Sequence, residues 1–528
     1  MDQESEILEE VVEAEPARSG SDQRTIVGQT GQNVVGLAVG AVATFVAQVI
    51  MSNRLGKSIY GVVTLATQFA FIAAAATRFG MDVANVRLVA ILAGSGRGAR
   101  ARGLVRRSTA IAGGVSVAFA VVAFIASPWL AERFSGAPEA EAAFRWAAVT
   151  VPFAALAFTL MGATRGLKIM RYTLYAQWFA QPIGWIVLTL VFWAAASATA
   201  GWTSAAFGAS WAAALVIAGG GWLRERRTLG GEVTGEPIPE EHTGALWRFG
   251  ALRAPGTLFS QLIFWTDLFV FSMLVGEGGG GDVGVYSGVL RAGQSLFLFL
   301  TSVSLTFSPF VADLHHRGER DRLDGLYKQV TRWSLAATIP VLLALAILPE
   351  QVLRIFGKDF GSGAGALRIL IIGMIVPVMV GTVGFILIMA GRTGWDLLVY
   401  LGGFAIDVSV ALLLARPEVL GIRGAAIAQA ATLTFSAIAR LLLVRRFLGI
   451  WPFDAGYLRL VVPALVGGAV MWVAHLVLPE AKWLVNLVAS AALGAAAYAV
   501  VLLAVGLPAN ERAMVGRLVA KVTRRGRG

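Results

Sequence analysis

Apolar runs of roughly 20 residues recur from Gly31 to Gly506, and the short stretches between them carry most of the charge. A helical run of ~20 residues matches the ~30 Å apolar thickness of a bilayer. Fourteen runs follow this rhythm, at 30–52, 58–80, 104–126, 146–164, 174–196, 203–223, 247–275, 283–312, 332–349, 366–390, 396–415, 422–443, 459–478 and 483–506. The period-2 alternation of a barrel strand is absent from them, so the pattern predicts an all-α polytopic membrane protein. Pro152, Pro182, Pro255, Pro309, Pro340 and Pro377 fall inside spans, where they predict kinks.

Composition agrees: 57% of the 528 residues are hydrophobic and 14% charged, against about 25% charged in soluble proteins. There is no cysteine, which excludes disulfides and thiolate metal sites. The first sixteen residues hold seven acids and no apolar core, unlike a signal peptide. Ile7, Leu8, Val11 and Val12 could form a short amphipathic helix, but an acidic tail is the simpler reading. With a cytoplasmic N-terminus, 30 Lys and Arg fall in inner segments and 10 in outer ones. That bias places both termini inside. It also accounts for the net charge of +12 through anionic lipid headgroups, so nucleic acid is not an expected partner.

The longest polar break between helices, 224–246, follows six spans, and six more precede the polar turn at Trp451-Pro452-Phe453-Asp454. The expected organisation is a cytoplasmic acidic tail (1–29), a six-helix lobe (30–223), a cytoplasmic linker (224–246) and a second six-helix lobe (247–446). Two further helices (447–506) and a basic cytoplasmic tail (507–528) complete it. The first hairpin turns through Gly56-Lys57-Ser58-Ile59-Tyr60, and the seventh and eighth spans turn into Gly284-Val285-Tyr286. Such internal duplication is a mark of secondary transporters.

Several short motifs punctuate this frame. They are Arg54-Leu55-Gly56 with Tyr60-Gly61, Phe79-Gly80-Met81 with Arg87, Asp267, Val283-Gly284-Val285-Tyr286 with Arg291, and Ser308-Pro309. Phe356-Gly357, Ala390-Gly391-Arg392 and the run Gly421 to Ala428 complete the set. In order and spacing, from about 30 to 450, the chain resembles the polysaccharide exporters, or lipid-linked oligosaccharide flippases, of the multidrug/oligosaccharidyl-lipid/polysaccharide superfamily. The resemblance implies two pseudo-symmetric lobes around a polar cavity, alternating access, and a cell-membrane location. The substrate it implies is a polyprenyl-diphosphate-linked oligosaccharide, a cell-surface polysaccharide precursor, with membrane lipids and polysaccharide assembly proteins as partners. It implies transport rather than catalysis. No cofactor is expected, since the chain holds no phosphate-binding Gly-x-x-x-x-Gly-Lys-Ser/Thr loop. The coupling ion would be Na+ or H+.

Charges inside spans are costly, about 2.5–3.5 kcal/mol each on insertion scales, so each should face a cavity or a partner. Arg253 and Arg291 are the deepest cations and suit a diphosphate, to which a guanidinium fork is well matched. Arg78 faces either the cavity or the inner interface. Asp267 lies at a similar depth to Arg291 on the preceding span, so the two could pair, either locking the hairpin or orienting Arg291. Asp407, alone in span eleven, is the leading coupling candidate, with Asp267 second. Gln48, Gln261 and Gln294, with Gln68 and Gln429, line a sugar-binding cavity or hydrogen-bond between helices. His315 and His316 lack metal-ligand spacing. The fifteen tryptophans fall mostly near span ends, as an interfacial belt does. Residues 320–333 read as an amphipathic helix on the inner surface.

Three alternatives compete with the glycan flippase: a lipid II flippase, a cation-coupled drug exporter, and a membrane-embedded glycan polymerase or ligase. The last would want a sizeable outer loop with catalytic groups. The longest outer loops, around 127–145 and 350–365, lack paired carboxylates with a histidine. The charge bias yields the first test. A C-terminal fusion to a reporter active only outside the cell should stay silent, and strong signal would overturn the topology.

Overall fold

The computed structural model of the chain describes residues 20–229, 254–276, 278–316, 318–479 and 482–505, and the regular structure among them is helical throughout. The first half holds α1 (Gly20–Thr77), α2 (Met81–Gly94), α3 (Gly98–Ile125), α4 (Ser127–Phe134), α5 (Ala140–Gly166), α6 (Arg171–Ala195) and α7 (Ala200–Glu225). The second half continues with α8 (Ala254–Leu262), α9 (Thr266–Val275), α10 (Gly280–His316), α11 (Arg320–Ile347), α12 (Pro349–Arg354), α13 (Ala364–Val380) and α14 (Val383–Met389). The last four are α15 (Thr393–Leu414), α16 (Ile422–Leu448), α17 (Val461–Val477) and α18 (Trp483–Val505).

Among the described residues, eleven helices are long and apolar enough to cross a membrane, or twelve if the bent pair α8–α9 is one span. One of these is two crossings. The Tyr60 hydroxyl donates to Gln48 Oε1 at 3.0 Å, twelve residues away. In a straight helix these residues would stand about 18 Å apart, so α1 folds back on itself. It does so at Gly56, the one non-helical residue within it (φ 74°, ψ 169°). Helix α10, 37 residues long, adds another crossing. The fourteen expected spans are thus roughly matched, though the tails and most of the 224–246 linker lie outside the described residues.

Four local expectations change. The stretch after Phe79-Gly80, read as loop, is α2; its Asn85 donates to the Thr159 carbonyl at 3.0 Å. The seventh span breaks at Ile263–Trp265, with a bend of 52°, while Pro255, where a kink is expected, stands at the edge of the described residues. Pro182 produces a π-helical segment over Leu174–Ala180, where the Gln181 N–H reaches the Ala176 carbonyl five residues back. Proline at 182 cannot donate to residue 178 and crowds its carbonyl, and a widened turn accommodates both faults. Residues 320–333 are not a separate lipid-facing helix. They begin the continuous α11, and their apolar side is covered by protein: Leu323 and Tyr327 are buried and the Tyr327 hydroxyl donates to the Val380 carbonyl at 2.9 Å.

Packing relies on small residues. Helix α7 buries Ala200, Gly201, Ala205, Ala206, Gly208, Ala214 and Ala218 as it lies along α5. In lipid, close backbone approach of this kind replaces the hydrophobic drive of water. Helices α1, α2, α3, α5, α6 and α7 contact one another, and α9 to α16 do likewise. The α17–α18 hairpin leans on α11, and α1 meets α10 between the halves.

The Gly56 backbone lies in a region essentially reserved for glycine, and nothing stands within 4 Å of a Cβ built there. Gly56→Ala should therefore destabilise through the backbone alone, by about 1–3 kcal/mol. Its thermal midpoint in detergent should fall, whereas Gly114→Ala, in open space on α3, should hold or raise it.

Candidate functional site

A cavity of about 460 Å³ lies between the two halves. From the first half it is lined by Gln48 and Gln68 on α1, Gln177, Trp178, Gln181 and Trp185 on α6, and Trp211 on α7. From the second half come Gln261 and Trp265 at the α8–α9 break, and Arg291 and Gln294 on α10. Both interrupted helices thus supply the wall: the π-segment of α6 turns Gln177 and Trp178 inward, and the break places Gln261 and Trp265. Discontinuous helices commonly mark such sites, because unwound backbone is tolerated only beside protein or a cavity.

The described lining is amides, aromatic rings and two threonines, with one charge. Among its described residues are six glutamines and four tryptophans, and none is acidic. Arg291 stacks its guanidinium over the Trp265 ring at 4.5 Å and approaches the Tyr60 phenol; its Nε has no partner. A cation–π contact stabilises the charge without neutralising it, worth ~0.5–2 kcal/mol. Arg291 is therefore positioned to meet an anion.

Gln48, Gln261, Gln294 and Arg291 are thus brought together. Gln68 joins them, whereas Gln429 is buried elsewhere on α16. Arg253 lies outside the described residues. Arg78 is not at the cavity. It is buried in the first half, paired with Asp82 at 3.4 Å and stacked on Phe158 at 4.5 Å, with Arg165 in electrostatic range. Asp82 lies only four residues on, across the Phe79-Gly80 turn, so the partner is local.

The expected Asp267–Arg291 pair does not form. Asp267 instead accepts a hydrogen bond from the Tyr286 hydroxyl. Tyr286 and Arg291 are five positions apart on α10, about 140° around the helix, so they face different neighbours. Asp267 lies within electrostatic range of Asp407, and both carboxylates are fully buried. Thr432 on α16 donates to Asp407 Oδ1 at 3.3 Å. Oδ1 of Asp267 and Oδ2 of Asp407 have no partner. The two coupling candidates are therefore one cluster, inside the second half.

Sequence reasoning missed the cavity tryptophans and Gln177 and Gln181. Trp178, Trp185, Trp211 and Trp265 are not interfacial anchors. The available signal was Pro182: a proline within a span, with two glutamines four apart beside it.

The cavity yields a labelling test. In this cysteine-free chain, Arg291→Cys should react with a water-soluble thiol reagent that reaches the cavity, and Arg78→Cys should be protected. Equal protection of both would remove Arg291 from the cavity.

The profile of the family described as polysaccharide biosynthesis protein matches residues 30–313, and that of MatE matches 257–413. Among curated proteins none matches. Among solved structures, the chain is similar to a lipid II flippase, MurJ, in an inward closed conformation. The TM-score is 0.68 and the identity 13%, over 90% of this chain and 98% of that one. It is similar to a multidrug resistance MATE transporter of the MOP superfamily in an inward-facing conformation, with TM-score 0.64 and 16% identity over 79% and 98%. A MOP superfamily transporter from Pyrococcus furiosus aligns with TM-score 0.59 and 16% identity over 80% and 95%. A family match over more than half the length agrees with the resemblance read from the sequence: the chain belongs to the polysaccharide biosynthesis protein family.

Proposed function

We propose that this chain is a flippase that moves a polyprenyl-diphosphate-linked oligosaccharide from the inner to the outer leaflet of the cell membrane, by alternating access of its two halves. The observation that carries this reading is the cavity itself: an amide- and aromatic-lined chamber in the bilayer, with Arg291 as its charge among the described lining residues. A diphosphate-sugar headgroup cannot cross hydrocarbon unaided, because a buried charge is expensive. Arg291 would replace water around the diphosphate. Glutamine amides, donors and acceptors at once, would replace it around sugar hydroxyls, and tryptophan faces would cover the apolar side of a pyranose. The lipid chain would stay in the bilayer throughout.

A cationic drug would fit this lining poorly, since none of its described residues is acidic. A lipid II headgroup, also a diphosphate-sugar, would fit the same chemistry, and the assay below separates the two. The Asp267–Asp407 cluster supports coupling to Na+ or H+. It has two unpartnered carboxylate oxygens and a threonine hydroxyl, and neither carboxylate is among the described lining residues of the cavity. Coupling through it would use the ion's affinity for paired carboxylates rather than any nucleotide.

Purified protein in vesicles should expose a lipid-linked oligosaccharide to an outside glycosidase or lectin. Arg291→Gln should slow this by about tenfold or more, the expected loss for one buried charge-assisted contact. Lipid II in place of the oligosaccharide gives the competing reading its own arm. If neither glycolipid moves in vesicles of native lipid with an imposed Na+ or proton gradient, the proposal fails.

A further inference from the structure

Helix α10 stands between two features that have so far been treated apart. On one side it carries Gly280 and Gly284, spaced for close crossing of two helices. A Cβ on Gly61 would sit 2.8 Å from the Gly284 nitrogen and 2.9 Å from the Gly280 carbonyl oxygen. One on Gly284 would fall on the carbonyl oxygen of Lys57. This seam joins the two halves at the end read as outer, about 10 Å above Arg291 along the helix. It holds by dispersion and short backbone contacts, each weak, and beside it Tyr60 packs edge-on against Phe360 and Asn53 donates to the Ile355 carbonyl at 2.7 Å.

On roughly the opposite side, two positions after Gly284, Tyr286 is fully buried and donates to Asp267. The titratable groups that face it are Asp267 from α9 and Asp407 from α15. Helix α16 adds Thr432 at Asp407. A displacement of α10 from the seam that α9 does not share therefore pulls on the Tyr286–Asp267 bond.

We infer that Tyr286 is a positioning residue that ties occupancy of the Asp267–Asp407 pair to closure of the Lys57–Gly61/Gly280–Gly284 seam. This rests on the coupling role proposed above. A proton or monovalent cation shared by the two carboxylates draws them together and holds Asp267 toward Tyr286, which keeps α10 seated on α1. With the pair empty and ionised, like charges at low dielectric repel. Although an ionised carboxylate is the stronger acceptor, the repulsion shifts Asp267 from its place against Tyr286, and the seam loosens. By linkage, a closed seam also raises the affinity of the pair for the ion.

The seam can be read directly. The Ser58 Cβ lies 3.9 Å from the position a Cβ on Gly280 would take, within the ~3.5–4.5 Å that a disulfide spans. In Ser58→Cys/Gly280→Cys protein, reconstituted in vesicles, the rate of oxidative cross-linking reports closure. Sodium chloride in place of choline chloride tests a sodium ion, and lowering the pH tests a proton. One of them should speed cross-linking about fivefold or more, as coupled sites do. Tyr286→Phe, which keeps the ring and loses the hydroxyl, should make the rate independent of that ion, and Asp267→Asn should do the same. If Tyr286→Phe keeps the full ion dependence while Asp267→Asn loses it, the tyrosine link is overturned and the coupling site stands. If Tyr286→Phe does not fold, Asp267→Asn decides alone: retained ion dependence overturns the proposal. If the double-cysteine parent responds to neither ion, the coupling reading falls and this inference with it.

Discussion

Gly284 lies so close to Lys57 that no side chain fits between them, and this approach fixes the relation of the two halves. Two helices that touch through their backbones must have small residues at the crossing, so α1 and α10 are registered within a fraction of a turn. The hairpin of α1, folded at Gly56, brings Gly61 to that crossing and Tyr60 beside it. Below the crossing the same two helices diverge enough to leave the cavity, with Gln48 and Gln68 on one side and Arg291 and Gln294 on the other. The seam and part of the cavity wall are thus two stretches of one helix pair. A shift at the first must alter the second.

Repetition between the halves shows in how each hairpin is tied. In the first, Tyr60 reaches back from the second arm to Gln48 on the first; in the second, Tyr286 reaches back to Asp267. The geometry is shared and the acceptor differs, an amide in one case and a carboxylate in the other. The amide faces the cavity, where it is available to a ligand. The carboxylate faces inward, toward Asp407 and Thr432. One duplicated arrangement therefore gives the halves different chemistry.

Much of this was legible in the sequence, and the exceptions have physical causes. Span length and loop charge follow from the bilayer alone, so the helical architecture could be read without homologous detail. Gln48, Gln261, Gln294 and Arg291 could be read because polar groups in apolar spans need partners, and a shared cavity satisfies several at once. Depth alone misled in the case of Asp267 and Arg291: equal depth on an antiparallel hairpin does not mean a shared face. Counting rotation from Tyr286 to Arg291 separates them. Arg78 was misread although its partner, Asp82, lies only four residues on, because a turn at Phe79-Gly80 intervenes. Trp178 escaped because tryptophan near a span end has an ordinary explanation in the interface. Only the π-segment before Pro182 and the break at Ile263–Trp265 turn Trp178 and Trp265 inward, and neither distortion is visible as periodicity.

The separation of charges around α10 bears on how such a protein would work. An anionic headgroup at Arg291 and a cation at Asp267–Asp407 would attract each other, and in a single chamber they would form a neutral pair that stays put. Keeping the carboxylates out of the cavity lining avoids that outcome and keeps negative charge off the cavity wall, where it would oppose a diphosphate. It also obliges the two ligands to communicate through the position of a helix rather than by contact. Each ligand would then bias the same two-state element, and neither would have to displace the other from a common site.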